Sequence, residues 1–123
     1  MKRITSDKAP AAIGPYSQAY ISGSMLYTSG QIPICPKSGE VVGDEIAAQA
    51  EQVFKNIAAV LEEAGTTFEN VVKTTCFLAN MDDFTKFNAV YEKYFTAKPA
   101  RSCVAVAGLP KGVLCEVELI AEV

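Results

Sequence analysis

Histidine is absent from the 123 residues. That absence removes the commonest general base near neutral pH, the commonest metal ligand and every Ser-His or Cys-His nucleophile. Any proton transfer therefore falls to Glu, Asp, Tyr, Lys, Cys or a positioned water. The four cysteines, Cys35, Cys76, Cys103 and Cys115, show neither a CxxC spacing nor a cluster, so a zinc or iron–sulfur site would need distant thiolates brought together. Free buried thiols are the expectation, with no metal and no cofactor. The net charge of −3 comes without a run of Lys or Arg, so the electrostatic footprint of a nucleic-acid partner is missing. No window approaches the ~18 apolar residues of a membrane span, and the opening "MKRITSDKAP" has no apolar signal core. A soluble cytoplasmic protein with no membrane partner is expected.

Linkers and internal repeats are missing as well. The length suits one core and is short for two, so residues 1–123 are expected to form a single domain. Apolar residues are what the chain has in excess. They make up 50% of it, high for a globule with so much surface to cover, and burial between subunits is the natural outlet.

Periodicity divides the chain. "PYSQAYISGSMLYTSG" predicts two short strands joined at Ser22-Gly23-Ser24, with Tyr16, Gln18 and Tyr20 on one face. Pro33 and Pro36 exclude a central strand from "IPICPKSGEVVG", which predicts an edge loop or short hairpin. From Glu45 the period lengthens: Ile46, Ala50, Val53, Ile57, Val60, Leu61 and Ala64 define an amphipathic helix stopped at Gly65. The β-branched run "VVKTTCFLA" predicts a strand over 71–79. Asn80 caps a second helix with Asp82 and Asp83 in its first turn, and Phe84, Phe87, Tyr91, Tyr94 and Phe95 form its apolar face. Asn88 falls on that stripe, its amide either satisfied by nearby backbone or reaching into a pocket.

Beyond Pro99 a strand carries Arg101, Cys103, Ala105 and Ala107 on one face. After a turn at Leu109-Pro110-Lys111-Gly112, the last strand, over 114–123, sets Leu114, Glu116, Glu118 and Ile120 on one side. The order ββ-α-β-α-ββ predicts an α+β fold, a mixed β-sheet covered on one face by two helices, its other face solvated or against a partner.

A lone guanidinium facing a core costs several kcal/mol unless paired. The small residues after Arg101 leave room for bidentate capture of a small carboxylate; an internal salt bridge to Glu116 or Glu118 is the alternative. In "TSGQIP", Gly30 permits close backbone approach to a ligand, and in "IGPYSQA", Tyr16 follows a Gly-Pro turn from which a phenol can overhang a cleft.

Together "APAAIGPYSQA", "TSGQIP", "KTTCFLANMDDF", "FNAVYEKYF", "PARSCV" and "LPKGVLCEVE" resemble the signature segments of the reactive intermediate deaminase (Rid) family, also called the YjgF family. The likeness is collinear from Ile4 to Val123. Its most diagnostic piece is Pro99-Ala100-Arg101-Ser102 followed by Glu116. The resemblance implies a homotrimer of chorismate-mutase-like fold with clefts between subunits. It also implies cofactor-independent hydrolysis of 2-imino acids such as 2-iminobutanoate and 2-iminopropanoate, released by pyridoxal-phosphate dehydratases, to 2-oxo acids and ammonia. By the same resemblance, Arg101 binds the substrate carboxylate beside the Gly30 N–H and Glu116 activates or orients water. Tyr16, Ser29, Asn88 and Cys103 shape the cleft, Cys103 more through its backbone than its thiol. The presence of Arg101 places the match in the imine-hydrolysing subgroup. Other readings are a non-catalytic module that binds or senses 2-oxo acids, a ribonuclease or translation inhibitor, which the acidic charge and missing His oppose, and a chaperone-like role.

Overall fold

The computed structural model describes all 123 residues. Six strands form one sheet: β1 (Lys2–Ile4), β2 (Ala19–Ser22), β3 (Met25–Thr28), β4 (Val71–Leu78), β5 (Ala100–Ala105) and β6 (Cys115–Glu122), in the order β1-β2-β3-β6-β4-β5. Every neighbouring pair is antiparallel except β4–β5, so the sheet is mixed. Helices α1 (Ile46–Ala64) and α2 (Phe84–Tyr94) pack on one face. Glu45 caps α1 by accepting from the Ala47 and Ala48 N–H groups, and Gly65 ends it at φ 80° with its N–H turned back to Leu61 and Glu62.

The core lies between helices and sheet. Phe54 of α1 sits at its centre, with ring centroids 5.9 Å from Phe87 and Tyr91, 5.1 Å from Tyr94 and 5.5 Å from Phe95. Truncating such a fully buried aromatic typically costs about 3–5 kcal/mol, so Phe54 is the main joint of the two helices. On β6 the helix side takes Cys115, Val117, Leu119 and Ala121, all buried, and leaves Glu116, Glu118 and Ile120 on the open side, as the alternation predicts.

Several local expectations are corrected. The first strand, β1, carries no alternating signal because it is three residues long and forms only by pairing with β2. Strand β2 starts at Ala19, so Tyr16 and Gln18 precede it rather than sharing a strand face with Tyr20. The Gln18 amide explains this: it donates to the carbonyls of Ser6 and Pro10 and accepts from the Ser6 N–H, stapling the N-terminal loop from a buried position. Asn80 caps a 3-10 turn over Met81–Asp83 through the Asp82 N–H, and α2 begins only at Phe84. Strand β5 stops at Ala105, which leaves Ala107 outside the sheet. The proline-bearing segment forms a small hairpin-like loop through the Ile34–Val41 bridge.

Candidate functional site

Arg101 lies second in the edge strand β5, registered against Thr74 of β4. Its side chain turns to the helix face, where one guanidinium N–H donates to the Asn88 Oδ1 at 2.7 Å. The guanidinium carbon stands 4.7 Å from the Tyr91 ring centre and 5.5 Å from that of Phe84, contacts worth about 0.5–1 kcal/mol at exposed sites. No carboxylate pairs with it. The ion pairs of the chain are Lys8–Glu62 and Lys93–Glu51, so the internal salt bridge to Glu116 or Glu118 is not formed. Asn88 reaches a pocket rather than nearby backbone. With Tyr91, Glu92, Lys98, Pro99 and Arg101 it lines an open cleft of about 580 Å³.

Cys103 follows on the same face, registered with Cys76. Burial pushes the Cys103 thiol up and the Cys76 thiol to about 12. Both are held as neutral thiols, poor nucleophiles near neutral pH.

Glu116 lies elsewhere. It is registered with Phe77, three residues beyond the Thr74 that faces Arg101, and an odd step along a strand reverses the face. Arg101 and Glu116 therefore project from opposite sides of the sheet, on strands separated by β4. Burial pushes the Glu116 carboxyl up, and the like charge of Glu118 adds to the shift.

Gly30 closes on Glu116 because the pairing of β3 with β6 slips by one residue between Tyr27–Ile120 and Gln31–Val117. A Cβ on Gly30 would stand 1.9 Å from the Glu116 Oε2, so any larger residue would displace the carboxylate from this position. Ser29 beside it donates its hydroxyl to the Ser17 carbonyl at 2.6 Å, tying the site to the loop that carries Tyr16. Tyr16 is half-exposed and shares with Gly30 a smaller cavity of about 200 Å³ walled by Ile13, Ile32 and Ile34.

The seven candidate residues thus fall into two groups. Arg101, Asn88 and Cys103 gather on the helix side of the β5 edge. Tyr16, Ser29, Gly30 and Glu116 gather around the β3–β6 junction. Tyr91, read from the sequence as core alone, belongs with the first group, and its position three residues after Asn88 on a helix was the available signal.

Fold and site together define a two-layer α+β protein with a guanidinium free of any ionic partner on one side of its sheet and a free carboxylate on the other. The Endoribonuclease L-PSP family profile matches residues 6–123, and the chain belongs to that family, the YjgF or Rid family. AldR of Lactococcus lactis subsp. lactis (strain IL1403), named as a candidate regulator, is 60% identical and covers 100% of this chain and 98% of its own. The 2-iminobutanoate/2-iminopropanoate deaminase of Escherichia coli (strain K12) is 52% identical over 98% of this chain and 96% of its own. The crystal structure of E. coli TdcF with bound serine superposes with a TM-score of 0.95 at 42% identity, covering 100% of this chain and 99% of that one. No helix is long and apolar enough to cross a membrane.

Proposed function

We propose that the chain hydrolyses small 2-imino acids to 2-oxo acids and ammonia in clefts formed between copies of itself, as a homotrimer. The observation that carries this reading is the placement of Arg101 and Glu116 on opposite faces of one sheet, each free of an ionic partner. The two can serve one small substrate only if one copy supplies Arg101, Asn88 and Cys103 and a second supplies Tyr16, Ser29, Gly30 and Glu116. The open sheet face, with Tyr27 and Val104 exposed beside Phe77 and Ile120, is the apolar surface such a neighbour would cover.

In this reading Arg101 holds the substrate carboxylate through charge-assisted hydrogen bonds of about 1.5–3 kcal/mol each. The iminium carbon is already electrophilic, so hydration needs a proton acceptor rather than a cofactor. The Glu116 carboxylate, made more basic by burial and by the Glu118 charge, accepts a proton as water oxygen adds to that carbon. It returns the proton to the carbinolamine nitrogen, which leaves as ammonia while the proton on the new carbonyl oxygen passes to water. The name of the E. coli deaminase points to four- and three-carbon substrates and so to pyridoxal-phosphate dehydratases as the source. In a cytoplasmic setting the protein would then limit damage by reactive imines.

The name of the AldR relative favours a second reading, a regulatory module that binds a 2-oxo acid without turnover. One assay separates the two: serine or threonine is passed through a dehydratase, and 2-oxo acid formation is followed with and without this protein. Acceleration by wild type, lost in Arg101→Ala and reduced about 10²-fold in Glu116→Gln with 2-oxobutanoate binding retained, supports the enzyme. Binding of 2-oxobutanoate without acceleration would establish the regulatory module instead.

A further inference from the structure

We propose that Tyr91 is the positioning residue of Arg101: its ring is a fixed platform that orders the guanidinium for carboxylate capture. The inference deepens the proposed function and rests on it for the identity of the ligand. Arginine on an edge strand is a long side chain with much rotamer freedom, and a group left to wander must be ordered at the moment of binding. Here the ordering precedes the ligand. The guanidinium carbon sits over the Tyr91 ring, 4.7 Å from its centre, while the Oδ1 of Asn88, one helical turn earlier on α2, accepts a guanidinium N–H at 2.7 Å. The ring and the amide together hold the fork from two directions.

The platform itself cannot tilt. Tyr91 is 8% exposed, stacked on Phe95 at 4.3 Å with an interplanar angle of 23°, and bounded by Phe54 and Phe87. Its hydroxyl shares a 2.7 Å hydrogen bond with the Thr74 Oγ1. Thr74 is the cross-strand neighbour of Arg101, so a side chain of the strand paired with that of the arginine anchors the ring beneath it. Helix α2 and the β4–β5 pair are locked in a closed circuit of Thr74, Tyr91 and Arg101.

Two measurements on the full chain test this: the order of the Arg101 Nε–H by ¹⁵N relaxation, and the affinity for 2-oxobutanoate. Tyr91→Phe keeps the ring face and is expected to hold Arg101 ordered, with affinity within about twofold of wild type. Tyr91→Leu removes the face; Arg101 should become mobile and binding about tenfold weaker. Site-specific difluorotyrosine at position 91 keeps shape and hydroxyl while drawing electron density from the ring, and keeps the question answerable if Tyr91→Leu fails to fold. Partial loss of order and affinity is expected there. Loss of Arg101 order in Tyr91→Leu, together with a wild type that keeps Arg101 ordered but binds no 2-oxobutanoate, would remove the functional reading and support the platform. An Arg101 equally ordered in wild type, Tyr91→Leu and the fluorinated protein would overturn the platform whatever the ligand proves to be.

Discussion

Glu116 is the site residue on whose ionisation the proposed chemistry depends. Burial first, and the Glu118 charge second, raise its carboxyl above the ordinary glutamate value. A carboxyl raised in the folded state contributes stability that is fully present below its unfolded-state pKa and is lost as pH rises through the folded value. At neutral pH the ionised side chain is therefore a burden on the fold. Glu116→Gln should melt at or above the wild-type temperature at neutral pH, and the difference should shrink in acid, where both side chains are uncharged. Calorimetry across that range checks it; a mutant that melts lower at neutral pH would show that the carboxylate is paired after all. In the same range the acid limb of kcat/KM should lie above that of an unperturbed glutamate.

Element ends carry a different cost. Helix α1 presents Ala50, Val53, Phe54, Ile57 and Val60 to the sheet and α2, and its length is set by Gly65 at φ 80°. Nothing lies within 4 Å of a Cβ placed there, so the obstacle to a side chain is the left-handed backbone and not a clash. Gly65→Ala should cost about 1–2 kcal/mol, the penalty of that conformation for an L-residue. The melting temperature should fall by several degrees, with ligand binding kept, because α1 contributes no residue to either half of the site. Gly65→Asn should lose less, since asparagine visits this region more readily. Equal losses for Ala and Asn in thermal melts would point to a packing role for Gly65.

At the scale of the whole molecule, the division of the charged residues between two faces predicts complementation. Arg101→Ala and Glu116→Gln proteins, each impaired alone, should recover activity when co-refolded. A cleft that draws Arg101 from a Glu116→Gln copy and Glu116 from an Arg101→Ala copy is intact. In the proposed cyclic trimer, random mixing makes about one cleft in four complete, so activity near a quarter of wild type is expected once native mass spectrometry shows hybrids. Hybrids without recovery would place both residues at work within one chain and remove the intersubunit site.

The sequence by itself determined the elements whose signal is local. The period of α1, the glycine that ends it, the alternation of β6 and the two glutamates on one of its faces follow from neighbours a few residues apart, and the structure keeps all of them. The residues of the candidate site were legible through matching short segments, without any indication of which could meet. Tertiary structure decided that. Insertion of β6 between β3 and β4 is a long-range choice. It puts Arg101 two strands from Glu116, and the registers place them on opposite faces. The short β1, the withdrawal of Gln18 from β2 to staple the N-terminal loop, and the seating of the Arg101 guanidinium over the Tyr91 ring have the same origin. Each depends on a partner far along the chain, and a hydrophobic stripe records that a side chain will be buried, not what it will be buried against.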